Sequence, residues 1–408
     1  LNAKTLPVRN KKSPKTRVGG VWGRESSLNP MTGNQSSPLI PGNSKHSLDQ
    51  RPEYPQRPSK IARIVDDEDD EEEQKQSKSM SQNPRIQRYL VAIEYIGTRF
   101  SGAQKQPNFR TVVGVLEEAF HKFIGQPVSI FCSSRTDAGV HALSNVCHVD
   151  VERISKRKPG EVLSPHEPAV VRRAVNHFLQ KNEGDIAVVD VRCVPTDFHA
   201  RFKARERTYF YRFLSGPEPL STFEKDRAWH VPEELDLLDM QKACKVLVGH
   251  HDFSSFRAAS CQAKSPVRTL DELNVTEVVS TPYFPSIIER EKSSFMGEDT
   301  FASSKNSITD LPHSSSISNQ DKVEGSNGET TQGFGTRRRH RCYVVTARAR
   351  AFLYHQVRLL VGVLKSVGTG DLTIPDVERI LNAKTVTAAS PMAPACGLYL
   401  GNVKYDLP

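Results

Sequence analysis

The chain of 408 residues has no apolar run near the roughly 18 residues that a bilayer-spanning helix requires. Its longest, Leu359 to Leu364, is far too short. Cysteine is sparse: seven, at positions 132, 147, 193, 244, 261, 342 and 396, with no two closer than fifteen apart. That odd, scattered set excludes a disulfide scaffold, a CxxC redox pair and a zinc ribbon, and fits thiols kept reduced inside a cell. The phosphate loop GxxxxGK(S/T), the dinucleotide signature GxGxxG and the deaminase pattern HxE with PCxxC are all missing. His250-His251-Asp252 has no HExxH or partner cysteines nearby, so a metal centre has no footing. Kinase, redox and zinc-dependent chemistry are thereby set aside, and the expectation is a soluble intracellular protein that needs no cofactor or metal. Acid is also in deficit: 56 Lys and Arg stand against 47 Asp and Glu, a net charge of +9. A basic surface points to a polyanionic partner and says nothing about fold.

Residues 1–84 lack any sustained hydrophobic period and end in eight consecutive acids, Asp66 to Glu73. A segment so poor in apolar surface cannot offset its ordering entropy, so a disordered tail is expected. Seven basic residues precede the first acid, Glu25, a bias that resembles an organelle transit peptide. A serine-rich stretch over about 285–339, closed by Arg337-Arg338-Arg339, reads as a disordered insertion linking two paired strands.

The rest alternates strand and helix patterns. Tyr89, Val91, Ile93 and Tyr95 share one strand face, and Val112, Val115, Leu116, Ala119, Phe120 and Phe123 recur at helical spacing before Gly125 and Pro127. Strands are expected at 128–132, 146–151, 186–194, 208–213, 273–279, 343–349 and 398–404. Helices are expected at 237–248 and 354–367, with another on Val171 to Phe178 opened by a Ser164/Glu167 capping box. The fold class is α+β, with two α+β halves, 85–200 and 201–408, sharing an extended, mostly antiparallel sheet flanked by helices.

Three clusters could carry chemistry. The first, Ser133-Ser134-Arg135-Thr136-Asp137-Ala138-Gly139-Val140-His141, lies in a loop between two strands. It suits a plain turn, with Thr136 and Asp137 bonding their own backbone and Gly139 at positive φ. It equally suits a nucleophile, because Arg135 two residues away can hold the Asp137 carboxylate ionised. The second cluster, Asp197 to Arg212, interleaves four arginines and Lys203 with Phe198, Phe202, Tyr209, Phe210 and Tyr211. Cations for phosphate and flat rings for bases are what unpaired RNA requires, although an amphipathic strand with a solvated flank has the same pattern. Tyr209 and Tyr211 are expected on one face and Phe210 toward the core. The third cluster, Ala351 to Arg358, enters a helix; Val357, Val361 and Leu364 read as core, Arg358 as a cation over the helix opening and His355 as a surface or capping histidine.

With these residues in view, Ser134-Arg135-Thr136-Asp137-Ala138-Gly139-Val140-His141-Ala142 resembles the catalytic loop of the TruA family of tRNA pseudouridine synthases. Asp197 to Phe202, Asp252 to Arg257, Ser265 to Arg268, Phe352 to Arg358 and the closing Gly397 to Leu400 are similar to further family blocks in the right order. Gly102-Ala103-Gln104 departs from the family's usual Gly-Trp-Gln, and with Ser133-Ser134 and Ala142 to Asn145 looks closer to the eukaryotic pseudouridylate synthase-like branch, which has organellar members. The resemblance implies an isomerase acting on uridine, with the anticodon stem-loop of tRNA as the expected target, in a cleft between the halves. It implies Asp137 as nucleophile, Arg135 as its pairing arginine, Tyr209 stacked on the target base and Arg358 as the arginine of the C-terminal half. It further implies RNA contacts from His141, Phe198, His199, Arg201, Arg205, Arg207, Phe256, Arg257 and Gln356. A homodimer in which one tRNA touches both subunits, without metal or cofactor, follows from the same likeness. The carboxylate would attack the sugar as glycosidase carboxylates do, or assist an elimination there. The contrasting expectation is an RNA-binding or RNA-chaperone protein that has lost catalysis, and a metal-dependent hydrolase lacks further carboxylates beside Asp137. An organelle (mitochondrion or chloroplast) is one expected location, with cytoplasm or nucleus as the alternative.

Overall fold

The computed structural model describes residues 85–158, 160–182, 184–279, 339–389 and 391–407. The expected tail over 1–84, and the 285–339 insertion up to residue 338, lie outside the described residues. In the N-terminal half the elements are β1 (Ile86–Tyr95), α1 (Val112–Ile124), β2 (Ile130–Cys132), β3 (His141–Glu152), α2 (Pro168–Asn182) and β4 (Ile186–Val194). The C-terminal half holds β5 (Glu206–Ser215), β6 (Trp229–Val231), α3 (Leu237–Leu247), β7 (Gly249–Asp252) and β8 (Val267–Val278). It continues through β9 (Arg341–Ala349), α4 (Gln356–Gly368), α5 (Ile374–Ala383) and β10 (Leu398–Lys404).

All ten strands join one sheet in the order β4-β1-β3-β10-β5-β9-β8-β7, with β2 on β3 and β6 on β5. Pairing is antiparallel except between β10 and β3 and between β5 and β6. This is the α+β architecture expected, and β8 does pair with β9 in the antiparallel sense. The period-2 pattern of β1 explains its place: Tyr89, Val91, Ile93 and Tyr95 are buried while Glu94 is exposed. Helix α1 starts where the Thr111 hydroxyl accepts the Gly114 N–H and stops at Gly125, whose φ of 89° only glycine adopts without strain. A first core forms under α1 and α2 and a second under α3, α4 and α5. Strand β10 closes the junction, placing Leu398 in the second core and Leu400 and Val403 in the first.

Several local expectations are corrected. Helix α2 begins at Pro168, with the Glu167 carbonyl accepting its first N–H groups, and the Ser164 carbonyl accepts from Arg153 instead of capping. Strand β3 starts at His141, so the polar loop is shorter than the pattern suggested. On β5 the core face belongs to Tyr211 and Phe213, both fully buried, and Phe210 lies half-buried on the other face beside Gly401. Tyr211 is therefore a packing residue whose hydroxyl donates to the Pro394 carbonyl at 2.8 Å.

Candidate active site

The loop after β2 is held from every side, and the reason lies in its small polar residues. The Ser133 N–H extends the β2–β3 ladder to the Val146 carbonyl at 2.7 Å, and its hydroxyl donates to Asn145 Oδ1 at 3.0 Å. Asn145, fully buried on β3, returns Nδ2 hydrogen bonds to the Ser134 carbonyl and the Tyr95 hydroxyl, both at 3.2 Å. Tyr95 in turn meets the Thr136 hydroxyl at 2.8 Å. Burial pushes the Tyr95 phenol upward, so this network stays neutral. Gly139, at φ 80°, turns the chain so that its N–H reaches the Phe100 carbonyl at 3.3 Å. Gly97 lies so close that a Cβ there would collide with the Val140 carbonyl oxygen. Its N–H donates to His141 Nδ1 at 3.0 Å, which leaves the proton on Nε2 to serve the carbonyls of Asp226 and Cys396 at 3.1 and 3.2 Å. His141 is thus neutral, its burial lowering its pKa, and it ties the loop to the C-terminal half.

Asp137 projects from this braced loop into a cleft of about 250 Å³. Ser134, Arg135, Arg201, Arg207, Tyr209, Phe352, His355 and Arg358 share the lining. The opposite wall is the start of α4. Arg358 is pinned by Nε to the Ala393 carbonyl at 2.8 Å and reaches Asp137 Oδ2 with its terminal nitrogen at 3.5 Å. His355 Nε2 stands 3.3 Å from the same Oδ2. Tyr209 meets Phe352 edge to face, centroids 5.2 Å apart, and burial raises its phenol pKa, so it stays protonated. A carboxylate facing an arginine and a histidine, beside an aromatic ring in a half-enclosed cleft, can attack an electron-poor carbon or stabilise positive charge on a sugar. Among the described residues no group of three or more His, Cys, Asp or Glu could hold a metal, and no helix is long and apolar enough to cross a membrane.

The expected residues divide sharply. Asp137, Arg135, Tyr209, Arg358, Arg201 and Arg207 converge on the cleft. Arg207 also braces it, donating to Ser134 Oγ at 3.2 Å and to the carbonyls of Ser133 and Arg201 at 2.9 and 3.1 Å. Gln356 reaches the cleft wall, yet it is buried and its Oε1 accepts the Leu353 N–H at 2.8 Å, shaping the turn into α4. Of the residues expected at the RNA, Phe198, His199, His141 and Phe256 are buried, Phe198 in the first core and Phe256 with 0% exposure in the second. Arg205 pairs with Asp406 at 2.8 Å away from the cleft, and Arg257 follows the short 3-10 turn at Ser254–Phe256 without lining it. His355 corrects the opposite way, because its side chain is only 14% exposed and faces the carboxylate.

A braced aspartate in a half-enclosed cleft, faced by an arginine and a tyrosine, has the layout of an enzyme active site, and no metal-ligand cluster stands among the described residues. The sequence model described as tRNA pseudouridine synthase matches residues 91–203 and 243–406. The chain is 37% identical to tRNA pseudouridine synthase A of Rhodospirillum centenum over 320 residues, covering 78% of this chain and 100% of that protein. It is 37% identical over 319 residues to the same-named protein of Parvibaculum lavamentivorans, and 36% over 319 to that of Paramagnetospirillum magneticum. Those alignments cover 78% of this chain and 99% and 95% of the relatives. The chain belongs to the tRNA pseudouridine synthase family, in its TruA branch, and is an enzyme of the isomerase class.

Proposed function

We propose that this enzyme converts uridine to pseudouridine in the anticodon stem-loop of tRNA, with Asp137 as the nucleophile. The observation that carries the reading is the Asp137 carboxylate, presented on a rigid loop and opposed by His355 and Arg358 across the cleft. One carboxylate oxygen attacks C1′ as the N1–C1′ bond breaks and its electron pair leaves on N1. The freed uracil turns, C5 bonds to C1′, and the electron pair of the carboxylate–C1′ bond returns to Asp137. C5 loses its proton and N1 gains one, so the product is an isomer. The base must first leave its stack, at a cost of a few kcal/mol that is least for a loop nucleotide. Tyr209 and Phe352 offer it a ring surface, and Arg135, Arg201 and Arg207 offer cations to the backbone.

The homodimer and the anticodon stem-loop rest on the family resemblance. Import into a mitochondrion or chloroplast rests on the family branch and on the basic residues before Glu25, cytoplasm or nucleus being the alternative. Imaging the tagged chain decides the location, and pseudouridine mapping in cells lacking it decides the position. The chemistry is tested by Asp137→Asn, which keeps shape and removes the nucleophile. Tritium release from C5-labelled tRNA should fall on the order of a thousandfold or more while tRNA affinity holds. Substantial release by a variant that melts like the parent overturns the assignment.

A further inference from the structure

The two groups facing Asp137, His355 and Arg358, both address one oxygen of its carboxylate. His355 Nε2 at 3.3 Å and the Arg358 terminal nitrogen at 3.5 Å both address Oδ2. Arg358 cannot follow the carboxylate if it swings, because its Nε is fixed to the Ala393 carbonyl and its own carbonyl accepts the Ala393 N–H at 3.0 Å. His355 is fixed by the backbone. It is one of four described non-glycine residues at positive φ, with φ 64° and ψ 5°, immediately before α4. Its carbonyl accepts the Leu359 N–H at 3.0 Å, and its ring lies against that of Tyr354 with centroids 3.7 Å apart. A residue other than glycine persists in this conformation where the surroundings enforce it. The conformation aims the imidazole across the cleft, where an Nε2–H donor meets Oδ2 in either the neutral Nε2–H tautomer or the protonated ring.

We propose that His355 is a positioning residue, which with Arg358 locks Oδ2 so that Oδ1 is the oxygen that attacks C1′. This rests on Asp137 being the nucleophile. A carboxylate held at one oxygen cannot rotate about its Cβ–Cγ bond, so Oδ1 keeps one direction into the cleft. Once Oδ1 bonds C1′, Oδ2 becomes the carbonyl oxygen of the ester and still accepts both donors. When that bond breaks, the two donors stabilise the charge returning to the carboxylate. His355 therefore acts on forming and on breaking the intermediate without touching the base.

The experiment compares His355→Gly, His355→Gln and Asp137→Asn in the full chain, measuring kcat, KM and melting on a tRNA transcript. Glycine suits φ 64° but has no donor, whereas glutamine dislikes that backbone but carries an N–H near the place of Nε2. The proposal expects kcat of His355→Gly to fall about a hundredfold with KM within about twofold, and His355→Gln to recover much of the loss. A role confined to starting α4 gives the reverse rank, glycine melting and turning over like the parent and glutamine impaired, and that result overturns the proposal. So does His355→Gly turning over at the parental rate. If Asp137→Asn is inactive in either of those cases, only the role of His355 has failed; if Asp137→Asn is active, the nucleophile reading has failed and this one with it.

Discussion

At the scale of single residues, the most heavily buried polar chemistry lies beside the site and not in it. His148 on β3 is fully buried, its ring stacked on Phe131 with centroids 5.2 Å apart and packed against His199 at 4.5 Å. Its Nδ1 accepts the Ala200 N–H at 3.2 Å, fixing the segment that leads to Arg201 at the cleft. Burial, then the charges of His199 and the Arg88 guanidinium, press its pKa down to about 2. Arg88 itself is spent in a buried bidentate pair with Asp150, both contacts 2.6 Å. The linkage has a definite sign. The native ring stays neutral, while the unfolded ring takes a proton below its ordinary value near 6.5. Stability from this group is present above pH 6.5 and is lost as pH falls toward 2. At pH 5.5 the loss is about 1.4 kcal/mol against neutral pH. Urea unfolding at pH 7.5 and 5.5 checks it: His148→Asn, which keeps an acceptor for Ala200, should show a smaller decline than the parent. Equal declines in both proteins would refute the assignment to His148.

At the scale of elements, legibility followed length. Strands β1, β4, β5, β9 and β10 and helices α1, α3 and α4 could be read from apolar period, because each has enough repeats to fix a face. Strands β6 and β7, three and four residues long, have no period; Gly249-His250-His251-Asp252 is a strand because Leu270 to Val267 on β8 stand opposite it. Helix α5 also leaves a sequence signature: Thr373 and Asp376 form its capping box, Pro375 sits in its first turn, and Val377, Ile380 and Leu381 make its buried stripe. In the site, Asp137 and Arg358 lie 221 positions apart, so no local pattern could have joined them; the family likeness did. The left-handed backbone at His355 leaves no sequence trace, since histidine is an ordinary residue there. Strand β10 shows how an element of seven residues serves both halves. Leu400 is fully buried in the first core, opposite Ala142 on one side and Tyr209 on the other. Leu400→Ala should cost about 2–5 kcal/mol and lower turnover as well, because the backbone neighbour of Tyr209 loses its packing. Denaturant unfolding with a parallel activity assay checks both; a loss below about 1 kcal/mol would show that the junction refills.

At the scale of the whole molecule, the catalytic cleft depends on strands that interleave. Suppose the chain is cut between Val279 and Arg339. The first piece then carries β1 to β8 with Asp137, and the second carries β9, β10, α4 and α5 with His355 and Arg358. In the sheet order β10 lies between β3 and β5, and β9 lies between β5 and β8, so each strand of the second piece is flanked on both sides by the first. Strand β9 pairs with β5 from Arg207↔Ala349 to Ser215↔Arg341, and with β8 from Leu270↔Ala349 to Val278↔Cys342. Arg348 adds ion pairs to Glu206 on β5 and Glu272 on β8, both at 2.9 Å. Helix α4 buries Leu360, Val361 and Leu364 in the second core, where Leu270, Leu273 and Val275 of β8 also lie. Separating the pieces means opening four strand interfaces and that core together, which is close to global unfolding. A protease site inserted in 285–338 and cut to completion should therefore give two fragments that stay together in gel filtration without denaturant. Turnover should stay within about twofold of the uncut enzyme, since Asp137, Tyr209, His355 and Arg358 all lie on the two fragments that the sheet holds together. Fragments that part under native conditions, or a nicked complex that holds together but has lost turnover, would show that the covalent connection itself maintains the register bringing Arg358 to Asp137.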